Sequence, residues 1–219
     1  MLTYETLMKF TNMPPLTYAH KSFLLKSGLV FALLFMSAAN SFSQDIRMNY
    51  DVKKGDKVIG TFTVSEINAP DSKTIKLESH IKTSFVVSIA VDAKEESIFQ
   101  NGFLSQSTVY RKVNGDEKVN KKHRFYGNGY VIETGKQRDT LCCTKILYNL
   151  MNLYSTEPLN IANVYSDNYQ KLLLIKKLEP HVYRIDVPDG SYNKYFYKDG
   201  RCHKVEIHQT LYTIVMVLT

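Results

Sequence analysis

Cysteine and histidine side chains near the C-terminus are the residues of this chain whose types suggest metal binding. Cys202 and His203 are adjacent, and His208 follows in the same strand-like run. Neighbouring residues of a strand point to opposite faces, and at about 3.3 Å per residue Cys202 and His208 lie about 20 Å apart. One ion cannot join them, and the other histidines lack the spacing of metal ligands. We therefore predict no metal site and no cofactor, and we expect His203 to be a hydrogen-bonded core histidine.

Nucleophilic and acid–base catalysis have equally little support from the residue patterns. The sequence contains no G-x-S-x-G motif, no cysteine-nucleophile signature and no glycine-rich phosphate loop. A hydrolase would need two carboxylates that converge in a cleft, and carboxylates on strands and loops are usually solvated. The available ones are Glu66, Asp92, Glu95, Glu96 and Glu133. We assign no catalytic residue and keep a carboxylate-dependent hydrolase as an alternative function.

The charge of the chain is mildly positive, with 28 Lys and Arg against 21 Asp and Glu and a formal net charge of +7. The basic residues are scattered, and the one dense run, residues 121–124, would divide its side chains between the two faces of a strand. We therefore expect no nucleic-acid partner. The sequence contains no Trp, which weakens a sugar-stacking function for its aromatic residues.

The chain has three cysteines, Cys142, Cys143 and Cys202. In an oxidising compartment one pair could close and leave one thiol over. The adjacent Cys142 and Cys143 are poor partners for each other, because a bridge between neighbours is strained. We expect all three to be buried as small apolar residues rather than to form a disulfide framework.

The elements that must position any site are clearest in residues 180–219, which read as a meander of three strands. Pro188-Asp189-Gly190 and Lys198-Asp199-Gly200 separate the strands, and each is typical of a three-residue hairpin loop with glycine in the left-handed conformation. The predicted pairs are Tyr183 with Tyr195 and Ile185 with Asn193 in the first hairpin, and Tyr197 with Arg201, Tyr195 with His203 and Asn193 with Val205 in the second.

This register gives the meander one polar and one apolar face. The polar face collects Arg184, Lys194, Lys198, Lys204 and Glu206. The apolar face collects Tyr183, Ile185, Val187, Tyr195, Tyr197, His203, Val205 and Ile207.

The rest of the chain from Ile46 onward is also strand-like, in short runs cut by turn residues such as Asn101-Gly102. Gly60, inside one run, predicts a bulge or a close backbone approach. Apolar residues at spacings of three and four predict one helix over roughly residues 140–154. Residues 172–175 and 211–218 are apolar on both faces, which is typical of strands buried on two sides. We predict a mainly β protein: a strongly curved antiparallel sheet or barrel of about ten strands with one helix.

Residues 1–43 are predicted to be a signal peptide with an extended n-region. Two lysines precede an apolar run, residues 28–36, that is long enough for a signal peptide and short for a membrane span. Small residues at 41 and 43 predict cleavage before Gln44, and no cysteine follows them for lipid attachment. Met1, Met8 and Met13 are all possible starts.

Removal of residues 1–43 leaves one β-rich domain, residues 44–219, with 176 residues and a net charge of +5. We expect this domain to be exported, either periplasmic or secreted, and soluble.

Several short motifs support a resemblance: Tyr50-Asp51-Val52, Gly55, Ile59-Gly60, Leu153-Tyr154-Ser155-Thr156-Glu157-Pro158, Val164-Tyr165-Ser166, Val187-Pro188-Asp189-Gly190, Asn193-Lys194-Tyr195-Phe196-Tyr197 and Gly200-Arg201. With them, about the whole of residues 44–219 resembles a family of exported proteins of Bacteroidota-type bacteria classed as a domain of unknown function. The resemblance implies an exported, mostly antiparallel β protein and transfers no functional residue. More distantly, the chain resembles exported half-barrel domains akin to lipoprotein carriers, an analogy of fold alone.

These observations together predict a non-enzymatic envelope protein that binds a lipid or another apolar or amphipathic molecule within the curved sheet. The predicted ligand-binding residues are Tyr183, Ile185, Tyr195, His203, Val205 and Ile207. The alternatives are the carboxylate-dependent hydrolase and a structural or protein-binding envelope module. An apolar cavity would favour the carrier, convergent carboxylates with shifted pKa values the hydrolase, and a filled core with an exposed apolar patch the module.

Overall fold

The computed structural model describes residues 45–84, 88–142 and 144–219. The predicted signal peptide and the expected Cys143 burial lie outside these residues. In the described part the regular structure is fourteen strands and one helix, α1 (Asn152–Ser155). The strands are β1 (Ile46–Lys54), β2 (Lys57–Ala69), β3 (Ser72–Ser84), β4 (Ser88–Gln100), β5 (Phe103–Val113), β6 (Asp116–Tyr126), β7 (Gly129–Thr134), β8 (Gln137–Leu141), β9 (Asn163–Ser166), β10 (Lys171–Glu179), β11 (Val182–Asp186), β12 (Tyr192–Lys198), β13 (Arg201–His208) and β14 (Thr213–Leu218).

All fourteen strands form one antiparallel sheet in the order β8-β7-β6-β5-β4-β3-β2-β1-β14-β13-β12-β11-β10-β9. Strands β1–β8 form a first wing and strands β9–β14 a second wing, and the pairing of β1 with β14 joins the wings. The sheet is curved and not closed. The predicted fold class, a curved antiparallel sheet with one helix, is confirmed, with fourteen strands where about ten were expected.

Alternation along the strands explains which face becomes the core. In β1, for example, Met48, Tyr50 and Val52 are buried while Arg47 and Asn49 are exposed. The buried residues of both wings belong to one hydrophobic cluster on the concave face. Antiparallel strands with one face against a core and one in water show this period of two.

Gly60 marks the point where β2 departs from that alternation. The register of β1 and β2 shifts next to it, and a Cβ built on Gly60 would lie 2.3 Å from the His80 backbone oxygen of β3. No residue with a side chain fits there without moving the backbone. The prediction of a bulge and a close approach at Gly60 is confirmed.

The register of the C-terminal meander is confirmed for the first hairpin only. Tyr183 pairs with Tyr195 and Ile185 with Asn193, and the loop Pro188–Gly190 is closed by Val187 and Ser191. The second hairpin pairs Lys198 with Arg201, so its loop has two residues, both with positive φ: Asp199 at 52° and Gly200 at 76°.

The predicted pairing of the second hairpin is therefore wrong. A bulge after Phe196 restores the inward direction of the strand, so that Tyr195 pairs with Val205 rather than with His203. A two-residue loop with both residues in the left-handed region matches the twist of the strands, and Asp-Gly suits it well. His203 is half-buried and does not belong to the core.

The predicted helix over 140–154 is also wrong in its extent. Strand β8 continues to Leu141, and α1 has only four residues. Backbone groups of residues 146–150 instead form hydrogen bonds with strands of both wings. In a helix the same groups would bond to one another. Tertiary hydrogen bonds here override the helical spacing of the apolar residues.

Two burial predictions need correction. Leu172 and Leu174 of β10 are 64% and 54% exposed, and Leu211 is 91% exposed, so these runs are not buried on two sides. Cys142 is an exposed free thiol, whereas Cys202 is buried and free as expected.

Among the described residues no helix has the length and apolar character needed to cross a membrane.

Candidate functional site

The connection between the wings, residues 144–162 (the inner segment), lies across the concave face of the sheet. On one side the Leu104 amide of β5 donates to the Ile146 carbonyl at 2.7 Å. On the other side, Tyr165 of β9 exchanges backbone hydrogen bonds with Tyr148 and Leu150, each 3.0 Å long. The segment thereby fills the space between the wings with buried side chains, namely Ile146, Met151, Leu153 and Tyr154.

Buried tyrosines of the sheet anchor the inner segment through their hydroxyl groups. The Tyr130 hydroxyl accepts from the Ile146 amide at 3.1 Å and donates to the Leu104 carbonyl at 2.7 Å. The Tyr197 hydroxyl donates to the Leu153 carbonyl at 2.7 Å. These bonds give hydrogen-bond partners to backbone groups of β5 and of the inner segment, and buried backbone groups need such partners.

The inner segment leaves part of the concave face uncovered, and a cavity of about 500 Å³ lies there. It has the size of small-molecule sites, which run from about 300 to 1,000 Å³. Small side chains at Ser79 and Ala93 contribute to the space, since they occupy inward positions of β3 and β4 between larger residues. The apolar wall consists of Phe62, Leu77, Ile81, Val91, Ala93, Val113, Leu150, Met151, Tyr154, Val187, Tyr195, Ile207 and Ile214.

Two charged side chains line the same cavity on neighbouring strands. Arg111 Nη2 of β5 lies 3.8 Å from Glu95 Oε1 of β4, and the two side chains are 35% and 22% exposed. Burial raises the pKa of Glu95 to about 7; Arg111 opposes this rise and the Asp167 carboxylate adds to it. At neutral pH a large share of Glu95 is therefore protonated, and its ion pair with Arg111 is incomplete.

A buried polar cluster, Ser97, Ser107, His123, Asn149 and Asp167, continues from this end of the cavity into the core. Ser107 Oγ donates to Asp167 Oδ1 at 2.5 Å, and Asn149 Nδ2 donates to Asp167 Oδ2 at 2.9 Å. Burial raises the pKa of Asp167 to about 6 against these two hydrogen bonds, which lower it. The cluster holds a carboxylate whose two oxygens already have protein donors.

His123 is fully buried beside Asp167, yet its two ring nitrogens have no hydrogen-bond partner among the described residues. Burial, with a smaller contribution from the Lys121 charge, lowers the pKa of His123 to about 4. The imidazole is therefore neutral at pH 7, and its 3.9 Å approach to Asp167 is not an ion pair. Ser107 bonds to Asp167 rather than to His123, so the three residues do not form a nucleophile–base–carboxylate relay.

A second concavity, about 770 Å³, lies against the edge strands β8 and β9. Its lining contains no carboxylate and a single cation, Lys145. We take the 500 Å³ cavity as the candidate site, because it combines an apolar wall with charged side chains that lack good partners.

The residues predicted to bind a ligand divide between this cavity and the core. Tyr195 and Ile207 line the cavity. Tyr183, Ile185 and Val205 are buried in the hydrophobic cluster, and the Tyr183 hydroxyl donates to Glu157 Oε1 of the inner segment at 2.8 Å. His203 is half-buried and is not among the cavity-lining residues. No group of three or more His, Cys, Asp or Glu residues suited to a metal ion occurs in the described part of the chain.

Sequence reasoning missed Arg111, Asp167 and the wall of the first wing. Glu95 was one of five available carboxylates, and only its inward position, which depends on the register of β4, distinguishes it from the exposed Asp92 and Glu133. The alternation of β5 gave the one usable signal, since it places Arg111 on the same face as the buried Val109 and Ser107.

Residues 50–219 match the family model described as domain of unknown function DUF6134. The chain belongs to the DUF6134 family. The match spans both wings and therefore the whole candidate site, and it confirms the predicted domain of unknown function; the expected bacterial group and export are not tested by it. Comparison with curated protein sequences gives no match.

One solved structure similar to this DUF6134 chain is the crystal structure of a β-barrel-like protein of domain of unknown function DUF1849 from Brucella abortus. The two chains share 10% sequence identity, the similarity covers 81% of this chain and 96% of that one, and the TM-score is 0.51. At this identity the similarity shows the fold, a β-barrel-like sheet, and nothing of ligand or activity.

Proposed function

We propose that this chain is an exported envelope protein that binds an amphipathic molecule in the concave cavity without chemically altering it. The observation that carries the proposal is the cavity itself: about 500 Å³, walled by aliphatic and aromatic side chains from both wings, with polar groups at one end. Binding sites for small molecules are typically apolar with a few well-placed polar groups. The export part rests on the signal-like residues 28–36 and the small residues that follow them.

A neutral amphiphile tests the binding proposal without assuming a head group. Dodecanol present at about 100 times its dissociation constant should raise the free energy of unfolding of residues 44–219 by about 2.7 kcal/mol through mass action. The variant Ala93→Leu adds bulk to the cavity wall and should abolish most of this gain. The matched control Ala69→Leu adds the same bulk at an exposed residue near the end of β2 and should keep it.

The binding proposal is wrong if dodecanol fails to change the stability of the native protein, or if it stabilises both leucine variants equally. Mass spectrometry of the native protein purified without detergent provides an independent measurement, because a carrier should retain a molecule that Ala93→Leu loses. N-terminal sequencing of the protein recovered from the cell envelope tests export, since an intact residue 30 would refute it.

One observation favours a hydrolase as a second candidate function. Glu95 and Asp167 line the same cavity, and the pKa of each carboxyl group is raised, to about 7 and about 6. A carboxyl group that holds its proton near neutral pH can act as a general acid beside an ionised one. Turnover of long-chain esters or glycosides that disappears in both Glu95→Gln and Asp167→Asn would support the hydrolase over the carrier.

A further inference from the structure

We infer that the ligand of the concave cavity carries a carboxylate head group, which binds Arg111, so that the ligand is a long-chain carboxylic acid. This inference rests on the proposed binding function and names the chemical class of the ligand. It follows from which polar groups around the cavity already have hydrogen-bond partners and which do not.

Arg111 is the polar group of the cavity with the largest unmet hydrogen-bonding capacity. A guanidinium group has five N–H donors, and among the described residues the Arg111 side chain makes no hydrogen bond; its contact with Glu95 is 3.8 Å long. A distance of 3.8 Å exceeds that of a hydrogen bond. The Arg111 side chain is 35% exposed, so water can reach its donors in the free protein. A ligand that displaces this water must supply an acceptor in its place, because donors left unpaired in a mainly apolar cavity are costly.

Two of the three carboxyl groups of the lining, Asp167 and Asp189, already accept hydrogen bonds, and so does the backbone carbonyl beside the nearby Lys121. Asp167 accepts from Ser107 and Asn149, and Asp189 accepts from the Tyr169 hydroxyl at 2.6 Å and from Ser191. Lys121 donates to the Asn168 carbonyl. A cationic head group would find these carboxylate oxygens engaged, and it would leave the donors of Arg111 unsatisfied.

Glu95 supplies a second donor for the same head group. It makes no hydrogen bond among the described residues, and it lies on the strand next to Arg111. Burial raises its pKa to about 7, so a proton is available to share with an incoming carboxylate. A carboxylate has two oxygens, one for the guanidinium and one for the protonated Glu95, which matches the two groups present.

The charge balance of the cavity favours a single negative charge over two. Arg111 is the one cation of the lining, and Glu95, Asp167 and Asp189 are its carboxyl groups. A phosphate dianion would meet two ionised carboxylates with one compensating cation, whereas a carboxylate that shares the Glu95 proton adds only one charge. The apolar wall beyond Ala93, with Phe62, Leu77 and Val91, is available to the hydrocarbon chain.

The test compares four ligands with the same dodecyl chain: dodecanoate, dodecanol, dodecylammonium and dodecyl phosphate. Isothermal titration calorimetry on delipidated residues 44–219 at pH 7 should show dodecanoate binding roughly tenfold or more tightly than dodecanol, because hydrogen bonds to charged groups are stronger than those between neutral groups. Arg111→Met should reduce this preference to within about threefold. Arg124→Met, at an exposed arginine of β6, should leave the preference unchanged.

The possible outcomes separate this inference from the binding proposal. Dodecanol that binds as tightly as dodecanoate, or dodecylammonium or dodecyl phosphate that binds more tightly, overturns the carboxylate inference and leaves the cavity as a binding site. Failure of all four ligands to bind overturns both. If circular dichroism shows that Arg111→Met does not fold, Arg111→Lys is the alternative variant. It keeps the charge without the planar donors and should retain only part of the preference for dodecanoate. In either case the order of affinity of the four ligands for the native protein decides the inference.

Discussion

Replacement of Glu95 by Gln should change how the stability of this protein depends on pH. Glu95 lines the cavity, and burial raises the pKa of its carboxyl group from 4.5 to about 7 in the folded chain. Between these two values the unfolded chain releases the Glu95 proton while the folded chain retains it. The free energy of unfolding therefore contains a contribution from Glu95 that is fully present below pH 4.5 and is lost as the pH rises through 7. Gln has no proton to release, so Glu95→Gln removes this contribution.

The magnitude follows from the pKa difference. Each unit corresponds to about 1.4 kcal/mol, so the shift from 4.5 to about 7 corresponds to at most about 3 kcal/mol. The side chain is 22% exposed toward the cavity, and water there makes this an upper limit. From pH 4.5 to pH 8 the stability of Glu95→Gln relative to the native protein should therefore rise by up to about 3 kcal/mol.

Urea unfolding of both proteins at half-unit steps between pH 4.5 and 8 measures this difference, followed by circular dichroism because the sequence has no Trp. Asp167 and His123 also titrate with shifted pKa values, to about 6 and about 4, but both proteins contain them and their effects largely cancel in the difference. Glu133→Gln, at an exposed carboxylate, should give a flat difference. A flat difference for Glu95→Gln as well would refute the burial of Glu95 as the cause of its raised pKa.

Three further substitutions test the fold by urea unfolding. Gly200→Ala should lower the free energy of unfolding by about 1 kcal/mol or more, since φ is +76° there; unchanged stability would contradict the left-handed turn. Tyr130→Phe should cost about 2–5 kcal/mol, because it leaves the Ile146 amide and the Leu104 carbonyl each short of a hydrogen bond; a loss below about 1 kcal/mol would mean that the hydroxyl does not anchor the inner segment. Leu153→Ala should cost about 2–5 kcal/mol at a fully buried position, and a cost typical of a surface site would contradict its place in the core.

The cavity is walled by residues of both wings and of the inner segment, whereas the predicted binding residues all belong to the meander. Only some of the predicted residues therefore line the cavity. The sequence of the meander defines one apolar face and does not distinguish among its inward residues. Ile185 and Val205 are fully buried in the hydrophobic cluster, whereas Tyr195 and Ile207 line the open space. Which residues stay open depends on where residues 144–162 lie, and the helical spacing of the apolar residues in that segment predicts the wrong structure for it.

The sequence by itself determined the fold class, most of the strands and turns, and the inward face of the first hairpin, but not the pairing of the second hairpin or the one-sided burial of residues 172–175. Period-two alternation and glycine-containing turns are local properties, so the fold class and the register of the Pro188–Gly190 hairpin followed from residues close together in the chain. Even the error in the second hairpin was local, since Asp-Gly suits both a two-residue and a three-residue loop.

Tertiary structure alone decided the candidate site. Residues 146–150 have helical spacing, but backbone hydrogen bonds from β5 and β9 hold them extended between the wings. Glu95 and Arg111 lie on the neighbouring strands β4 and β5, but Asp167 follows β9 of the other wing and lines the same cavity only in the folded sheet. Burial then changes the pKa of Glu95, and burial is a property of the folded chain that no local pattern of residues contains.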